Sequence, residues 1–170
     1  MPTDTLNLEN LYQTYKNQIY TLCIKLTRSQ MHADDLFGTT WVKVAEKFAN
    51  IQKEKNPRNW IYTICLNLYR KSAPKWQEIA ISDEDVASEI IAKAQDANVE
   101  DSMVEQETIQ QLQKAVSLLN DKYRIPIILF YFRELSYNEI SQIMKLPMST
   151  VKFRLSYAKE LLKKEMEVLL

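Results

Sequence analysis

Several residue types and patterns that often signal a function are rare or missing in this chain. Its 170 residues include one glycine, two cysteines and one histidine. A glycine-rich phosphate loop is therefore excluded, and no cysteine or histidine spacing is typical of a metal site. No nucleophile–base set stands out, so we expect no cofactor, no metal and no enzymatic activity. No signal peptide and no apolar run of about 18 residues is present, which predicts a cytoplasmic protein without membrane insertion.

Helical periodicity runs through most of the chain, and no convincing strand alternation is present. Hydrophobic residues make up 46% of the sequence, which is ample for a core. The pattern predicts an all-α protein. Cys23 and Cys65 fall in apolar stripes and are expected to be buried free thiols. His32 is expected at the surface.

Net charge is zero, but the charges are distributed in blocks. Residues 1–77 hold eleven Lys and Arg against six Asp and Glu, residues 78–107 hold one against ten, and residues 108–170 hold ten against six. Two mildly basic parts flanking an acidic middle suggest two domains and a connector. We predict helical domains at residues 1–75 and 108–170, joined by an acidic linker at residues 76–107.

Three helices are predicted in the first domain. They run from about Leu8 to Thr27, from about Met31 to Ala49 after a Ser29 cap, and from Pro57 to about Lys71 after an Asn56 cap. Ser72-Ala73-Pro74 is expected to end the third helix, and Asn50–Lys55 is expected to be a polar loop.

The third predicted helix carries a ring, an amide and cations on its outer surface. Trp60, Asn67 and Lys71 share one edge, and Arg70 lies beside them. Such a surface suits single-stranded nucleic acid, because bases stack on rings and phosphates meet cations. The alternative, a tryptophan half-buried at the edge of a core, is the commoner case for a lone tryptophan such as Trp60.

The second predicted helix has two acidic residues near its start and a glycine in its interior. Asp34 and Asp35 are favourable there because of the helix dipole, and they need no further role. Gly38 costs about 1 kcal/mol relative to alanine. Three explanations fit Gly38: another chain approaches the helix closely there, the helix is kinked, or the glycine is simply tolerated.

The segment 136–163 has the pattern of a helix-turn-helix. Ser136 and Glu139 form a predicted capping box, with Leu135 and Ile140 as its hydrophobic staple. A break at residues 145–148 precedes a second helix, for which Ser149 is the predicted cap.

The second helix of this motif has a buried face and a polar face. Its apolar stripe is Val151, Leu155, Ala158 and Leu162, and the opposite face carries hydroxyls, lysines and an aromatic ring. This face favours DNA binding over a plain helical hairpin with a solvated lysine face.

With these motifs in place, the chain resembles the extracytoplasmic-function (ECF) sigma factors of bacterial RNA polymerase. The resemblance covers nearly the whole length and rests on these segments: Ala33–Leu36 with Thr40-Trp41, similar to conserved region 2.2; Pro57–Tyr62 with Asn67-Leu68 and Arg70-Lys71, similar to regions 2.3–2.4; and Leu135–Ile140 with Pro147–Ala158, similar to region 4.2.

The resemblance implies a non-enzymatic specificity subunit with a region 2-like and a region 4-like domain. Its implied partners are core RNA polymerase (the β and β′ subunits), promoter DNA and, as a further candidate, an anti-sigma factor. The implied contacts are Asp34, Asp35, Leu36 and Thr39 for polymerase; Asn50, Lys53, Lys55, Asn56, Trp60, Asn67, Arg70 and Lys71 for the −10 element; and Ser149, Thr150, Lys152, Phe153, Arg154, Ser156, Tyr157 and Lys159 for the −35 element.

The sequence departs from the family pattern at several of these positions. Gly38-Thr39 replaces a Gln-Glu pair in region 2.2, and Ser149 replaces a glycine in the recognition helix. Phe153 stands where a small polar residue is usual, and Tyr157 stands where an arginine is usual. Two other functions fit the same patterns: an autonomous helix-turn-helix regulator, and a helical adaptor that binds only protein.

Overall fold

The computed structural model describes residues 7–51, 56–77 and 103–169, with side chains for residues 7–51, 56–75 and 106–167. Every element in these ranges is helical, as the sequence predicts. In chain order the elements are α1 (Leu8–Thr27), α2 (Gln30–Glu46), α3 (Phe48–Ile51), α4 (Pro57–Gln77), α5 (Met103–Leu118), α6 (Asp121–Ile127), a π-helix (Ile128–Phe132), α7 (Tyr137–Met144) and α8 (Met148–Leu169). The chain divides into two compact units, Met1–Asp83 and Glu84–Leu170.

In the first unit, local caps fix the ends of α1 at the predicted residues. Asn7 Oδ1 accepts a hydrogen bond from the Asn10 N–H at 2.7 Å, which satisfies a free donor at the helix start. Arg28 adopts a left-handed conformation with φ 57°, which ends the helix. Ser29 then caps α2, as predicted, by accepting from the His32 N–H.

The core of the first unit lies between α1, α2 and α4, which pack against one another. Ile19, Leu36 and Ile61 are fully buried there, one from each helix. Cys23 and Cys65 are also buried and free, with their Sγ atoms 3.7 Å apart, so the predicted thiols are confirmed. The two cysteines join α1 to α4 at the centre of the unit.

Three predictions for the first unit were wrong. His32 is buried, because it lies one turn before Leu36 on the core face of α2. Asn50 and Ile51 belong to the short helix α3 and not to a loop, and the rest of the predicted loop, residues 52–55, lies outside the described residues. Helix α4 continues through Pro74 to Gln77, because a proline removes only one backbone hydrogen bond so close to the end of a helix. Most of the predicted linker, residues 78–102, lies outside the described residues.

In the second unit, α8 packs against α5, α6 and α7. Asn120 caps α6, and Ile125 and Ile127 are buried. The chain then winds into the π-helix, in which the Arg133 N–H donates to the Ile128 carbonyl at 3.2 Å, five residues back. The sequence did not predict this change of winding.

Candidate nucleic-acid interface

The helix-turn-helix is built by side-chain and backbone caps. In the capping box, the Glu139 N–H donates to Ser136 Oγ at 3.1 Å, and the Ser136 N–H donates to Glu139 Oε1 at 3.2 Å. Lys145 ends α7 in a left-handed conformation with φ 55°. Helix α8 begins at Met148, and the Pro147 carbonyl accepts from the Val151 N–H at 3.1 Å. The predicted Ser149 cap was therefore wrong: Pro147 occupies the cap position, and Ser149 lies within the first turn.

Helix α8 separates its apolar and polar residues as predicted. Val151, Leu155, Ala158 and Leu162 are buried, and the predicted DNA-facing residues Ser149, Lys152, Phe153, Ser156, Tyr157 and Lys159 are all exposed. Thr150 is half-buried. Arg154 is half-buried as well, and its Nε has no hydrogen-bond partner among the residues whose side chains are described.

Two lysines on this face lie over aromatic rings contributed by other elements. Lys152 Nζ lies 5.9 Å from the centre of the Tyr137 ring, and Lys159 Nζ lies 5.5 Å from that of Tyr131. Hydrogen bonding to Tyr131 raises the pKa of Lys159. The rings hold both cations on the exposed face, where a phosphate backbone would meet them.

The outermost part of α8 is aromatic. Phe153 and Tyr157 stack one turn apart, with ring centroids 6.0 Å apart and an interplanar angle of 9°. The Tyr157 ring also contacts Tyr123 of α6, at a centroid distance of 5.0 Å. Sequence reasoning missed Tyr123, because no local pattern connects it with α8.

A buried ion pair holds the start of α6, and it was also missed. Arg124 is 1% exposed, and its Nη2 donates to Asp121 Oδ1 at 2.7 Å. A buried guanidinium needs such a partner, because an unpaired charge away from water is costly. The spacing of three residues on one helix was the available signal for this pair.

In the first unit, α2 presents a mixed acidic and apolar surface. Asp34, Asp35 and Thr39 are exposed, whereas Leu36 is 1% exposed and packs in the core. No atom outside the local backbone lies within 4 Å of a Cβ built on Gly38, so the described residues make no close approach there. Exposed Val42 continues this surface toward the end of the helix.

The predicted strand-binding face of α4 is present as an exposed surface. Asn67, Arg70 and Lys71 are exposed, and Trp60 beside them is half-buried. Asn56 caps the helix, with its Oδ1 accepting from the Asn59 N–H at 3.2 Å. Asn50 is exposed on α3, whereas Lys53 and Lys55 lie outside the described residues.

Metal sites and membrane-spanning helices are both absent from the described part of the chain. No group of three or more His, Cys, Asp and Glu side chains in it is arranged to hold a metal ion. No helix in it is both long and apolar enough to cross a membrane.

Both units match models of one protein family. Residues 11–74 match sigma-70 region 2, and residues 109–162 match sigma-70, region 4. The chain is 29% identical over 165 residues to the ECF RNA polymerase sigma factor SigW of Bacillus subtilis, covering 92% of this chain and 87% of that protein. It is 27% identical over 160 residues to the ECF sigma factor SigM of the same organism, covering 93% and 94%.

A solved structure shares the fold. The sigma factor RpoE, solved in complex with the anti-sigma factor NepR from Bartonella quintana, matches with a TM-score of 0.70 and 21% identity. The match covers 94% of this chain and 96% of that one.

The chain belongs to the sigma-70 family of RNA polymerase sigma factors. Within that family it is an ECF sigma factor, as the sequence predicts. Its function is that of a transcription initiation factor. An autonomous helix-turn-helix regulator is not supported, because the first unit matches sigma-70 region 2.

Proposed function

We propose that this chain directs core RNA polymerase to promoters by reading the −35 element with α8 and holding the −10 element with α4. The observation that carries the proposal is the exposed face of α8, where Lys152 and Lys159 flank Ser156 beside two rings. Lysines over rings can reach phosphates, and Ser156, Phe153 and Tyr157 can reach base edges in the major groove. We propose that Ser149 and Thr150 in the first turn of α8, and the half-buried Arg154, also contact the −35 element.

The −10 element would be captured as a single strand. Unpairing a base costs a few kcal/mol, which stacking at about 1–3 kcal/mol per base can offset. Trp60 supplies a ring at the edge of α4, and Arg70 and Lys71 supply cations beside it. We propose that Asn67, Asn56 and Asn50 supply amide groups to the same strand. Lys53 and Lys55 remain predicted contacts that lie outside the described residues.

Core polymerase would dock on the outer surface of α2. Asp34, Asp35 and Thr39 offer exposed polar groups there, beside the open space above Gly38. The buried Leu36 would support this surface from within, because its side chain packs in the core. We further propose that the protein is non-enzymatic and cytoplasmic, that it contacts the β and β′ subunits, and that an anti-sigma factor regulates it.

In vitro transcription with core polymerase on a genomic promoter library tests this function. Adding the chain should produce transcripts that start at a defined set of promoters. Lys152→Glu should abolish most of this activity, because it reverses a charge that faces the phosphates. Lys114→Glu is the matched control, since Lys114 is an exposed lysine on α5.

A helical adaptor that binds only protein, the other function that the sequence patterns allow, does not agree with the sigma-70 matches of both units. In this experiment an adaptor would produce no promoter-specific transcripts, and Lys152→Glu would leave its function unchanged. Footprinting of the chain alone adds a second criterion. Since neither basic part of the sequence carries a large excess of positive charge, the isolated protein should bind promoter duplexes weakly.

A further inference from the structure

The outermost side chains of α8 are two rings that make an unusual surface for a groove-facing helix. Phe153 is 62% exposed and Tyr157 is 40% exposed. Their planes lie within 9° of parallel, with centroids 6.0 Å apart. The pair therefore presents a continuous apolar strip along the face that we propose enters the major groove.

Tyr123 supports this strip from a second helix. Its ring lies 5.0 Å from that of Tyr157, at an interplanar angle of 50°. Tyr157 is thus held between Phe153 on its own helix and Tyr123 on α6. We name the three residues the aromatic ridge.

The position of Tyr123 is itself fixed by its neighbours. The Tyr123 N–H donates to the Asn120 carbonyl at 2.9 Å, and the Asn120 side chain accepts from the Lys122 N–H at 3.1 Å. On the other side of Tyr123, the buried Arg124 is bonded to Asp121. These bonds hold the backbone at the start of α6, and the Tyr123 ring is placed against Tyr157 from that fixed start.

The chemistry of the ridge indicates what it would read. Its ring faces are apolar, and the apolar group that the major groove displays is the C5 methyl of thymine. A ridge that is already ordered loses little rotamer freedom when it meets its target. We propose that the aromatic ridge recognises thymine methyl groups in the −35 element, and that Tyr123 is the positioning residue for this contact.

This inference rests on the proposed reading of the −35 element by α8. It goes beyond that proposal in naming the chemical group that is read and in adding a residue from another helix.

The test uses the holoenzyme formed by this chain and core polymerase. A −35 sequence is first selected from a randomised duplex library, and each thymine in it is then replaced in turn by uracil, which lacks the methyl group. For the wild type, binding should weaken about fourfold at each thymine under the ridge, as expected for one buried methyl group. Phe153→Ser should remove this difference between thymine and uracil.

Variants of Tyr123 separate positioning from folding. Tyr123→Phe keeps the ring and should keep the thymine preference. Tyr123→Ala should bind the thymine and uracil duplexes almost equally, because Tyr157 loses its support. Tyr123→Leu keeps an apolar side chain that fills part of the space without a ring, and it should give the same result, which covers the case in which the alanine variant is unstable. Leu118→Ala, at an exposed position on α5, is the control.

Two results would overturn the inference. A selected −35 element in which uracil is accepted as well as thymine at every position would exclude methyl recognition. A full thymine preference in folded Tyr123→Ala and Tyr123→Leu would exclude a positioning role. Failure of the proposed function can be distinguished from these two results. In that case, polymerase with the Lys152→Glu variant would transcribe as well as polymerase with the wild type.

Discussion

Tyr20 and Asp34 join α1 to α2 through a hydrogen bond in which Tyr20 Oη donates to Asp34 Oδ1 at 2.9 Å. The Tyr20 ring also packs edge-on against Phe37, with ring centroids 5.5 Å apart. Burial and this hydrogen bond raise the pKa of Tyr20. The exposed carboxylate of Asp34 is therefore held in one orientation on the surface that we propose for polymerase.

Tyr20→Phe should weaken binding to core polymerase by up to about fivefold, because Asp34 loses the hydrogen bond of about 1 kcal/mol that orients it, while the ring contact is kept. Fluorescence anisotropy of the labelled chain titrated with core polymerase measures the affinity. Tyr15→Phe, on the same helix, is the control and should bind like the wild type.

Asp35→Arg reverses a charge on the same surface and should weaken core binding more than Tyr20→Phe does. Co-purification of tagged variants with core polymerase checks this order. If both variants were retained as well as the wild type, the proposed docking surface on α2 would be wrong.

Gly38→Ala should raise the free energy of unfolding by about 1 kcal/mol, because alanine costs less backbone entropy in a helix and its methyl group meets open space. Thermal unfolding measures the change. Ala45→Gly, at another exposed position in α2, is the reciprocal control and should lower stability by a similar amount. A destabilised Gly38→Ala would mean that the space above α2 is not open in solution.

Trp60→Ala should impair promoter opening more than initial binding, because its ring is proposed to stack on an unpaired base at about 1–3 kcal/mol. Permanganate reactivity of the −10 thymines reports opening, and a mobility shift on closed duplex reports binding. Trp60→Phe keeps a stacking surface and serves as the control. Normal permanganate reactivity in the alanine variant would remove Trp60 from the proposed site.

The buried thiol of Cys23 should make stability depend on alkaline pH. The contact with Cys65 and burial raise the pKa of Cys23, so folding favours its neutral form. Once pH exceeds about 8.5, the unfolded thiol ionises and the native one does not. The free energy of unfolding should then fall by about 1.4 kcal/mol per pH unit. Below that pH the contribution is complete.

Urea denaturation between pH 7 and pH 9.5 measures this slope, and Cys23→Ala should flatten it. Native Cys23 should also react slowly with iodoacetamide at pH 8 and quickly after unfolding. Equal labelling rates in the two states would show that the thiol is accessible in the folded chain.

Elements with strong local signals could be predicted from the sequence. The bounds of α1 agree with the prediction, because its N-cap is the short polar side chain of Asn7 and its clear apolar stripe stops before Arg28. The capping box at Ser136 and the buried stripe of α8 agree for the same reason. In these cases the residues that decide the structure lie within one or two turns of each other.

Features that depend on packing could not be predicted in this way. Pro74 signals a helix end, yet α4 continues past it. The π-helix has no known local signature in its apolar residues, and the burial of His32 depends on how α2 lies against its neighbours.

The candidate site shows the same division. The helical wheel of α8 correctly identified its exposed residues, whereas the contact between Tyr123 and Tyr157 joins two helices that are distant in sequence. In α2, the sequence grouped Leu36 with Asp34 and Asp35, but the fold turns the leucine inward.

The π-helix at Ile128–Phe132 has a consequence for the number of residues between α6 and the helix-turn-helix. A π-helical turn accommodates one residue more than an α-helical turn. Deleting one residue there should therefore let the turn close to an α-helical one and leave α6 in place, whereas inserting one residue would rotate α6 by about 100° relative to the segment that follows. The ring of Tyr123 would then leave Tyr157, even though no residue of either helix had changed. We therefore expect single-residue insertions in this connection to alter promoter specificity as strongly as substitutions in α8, and single-residue deletions to alter it less.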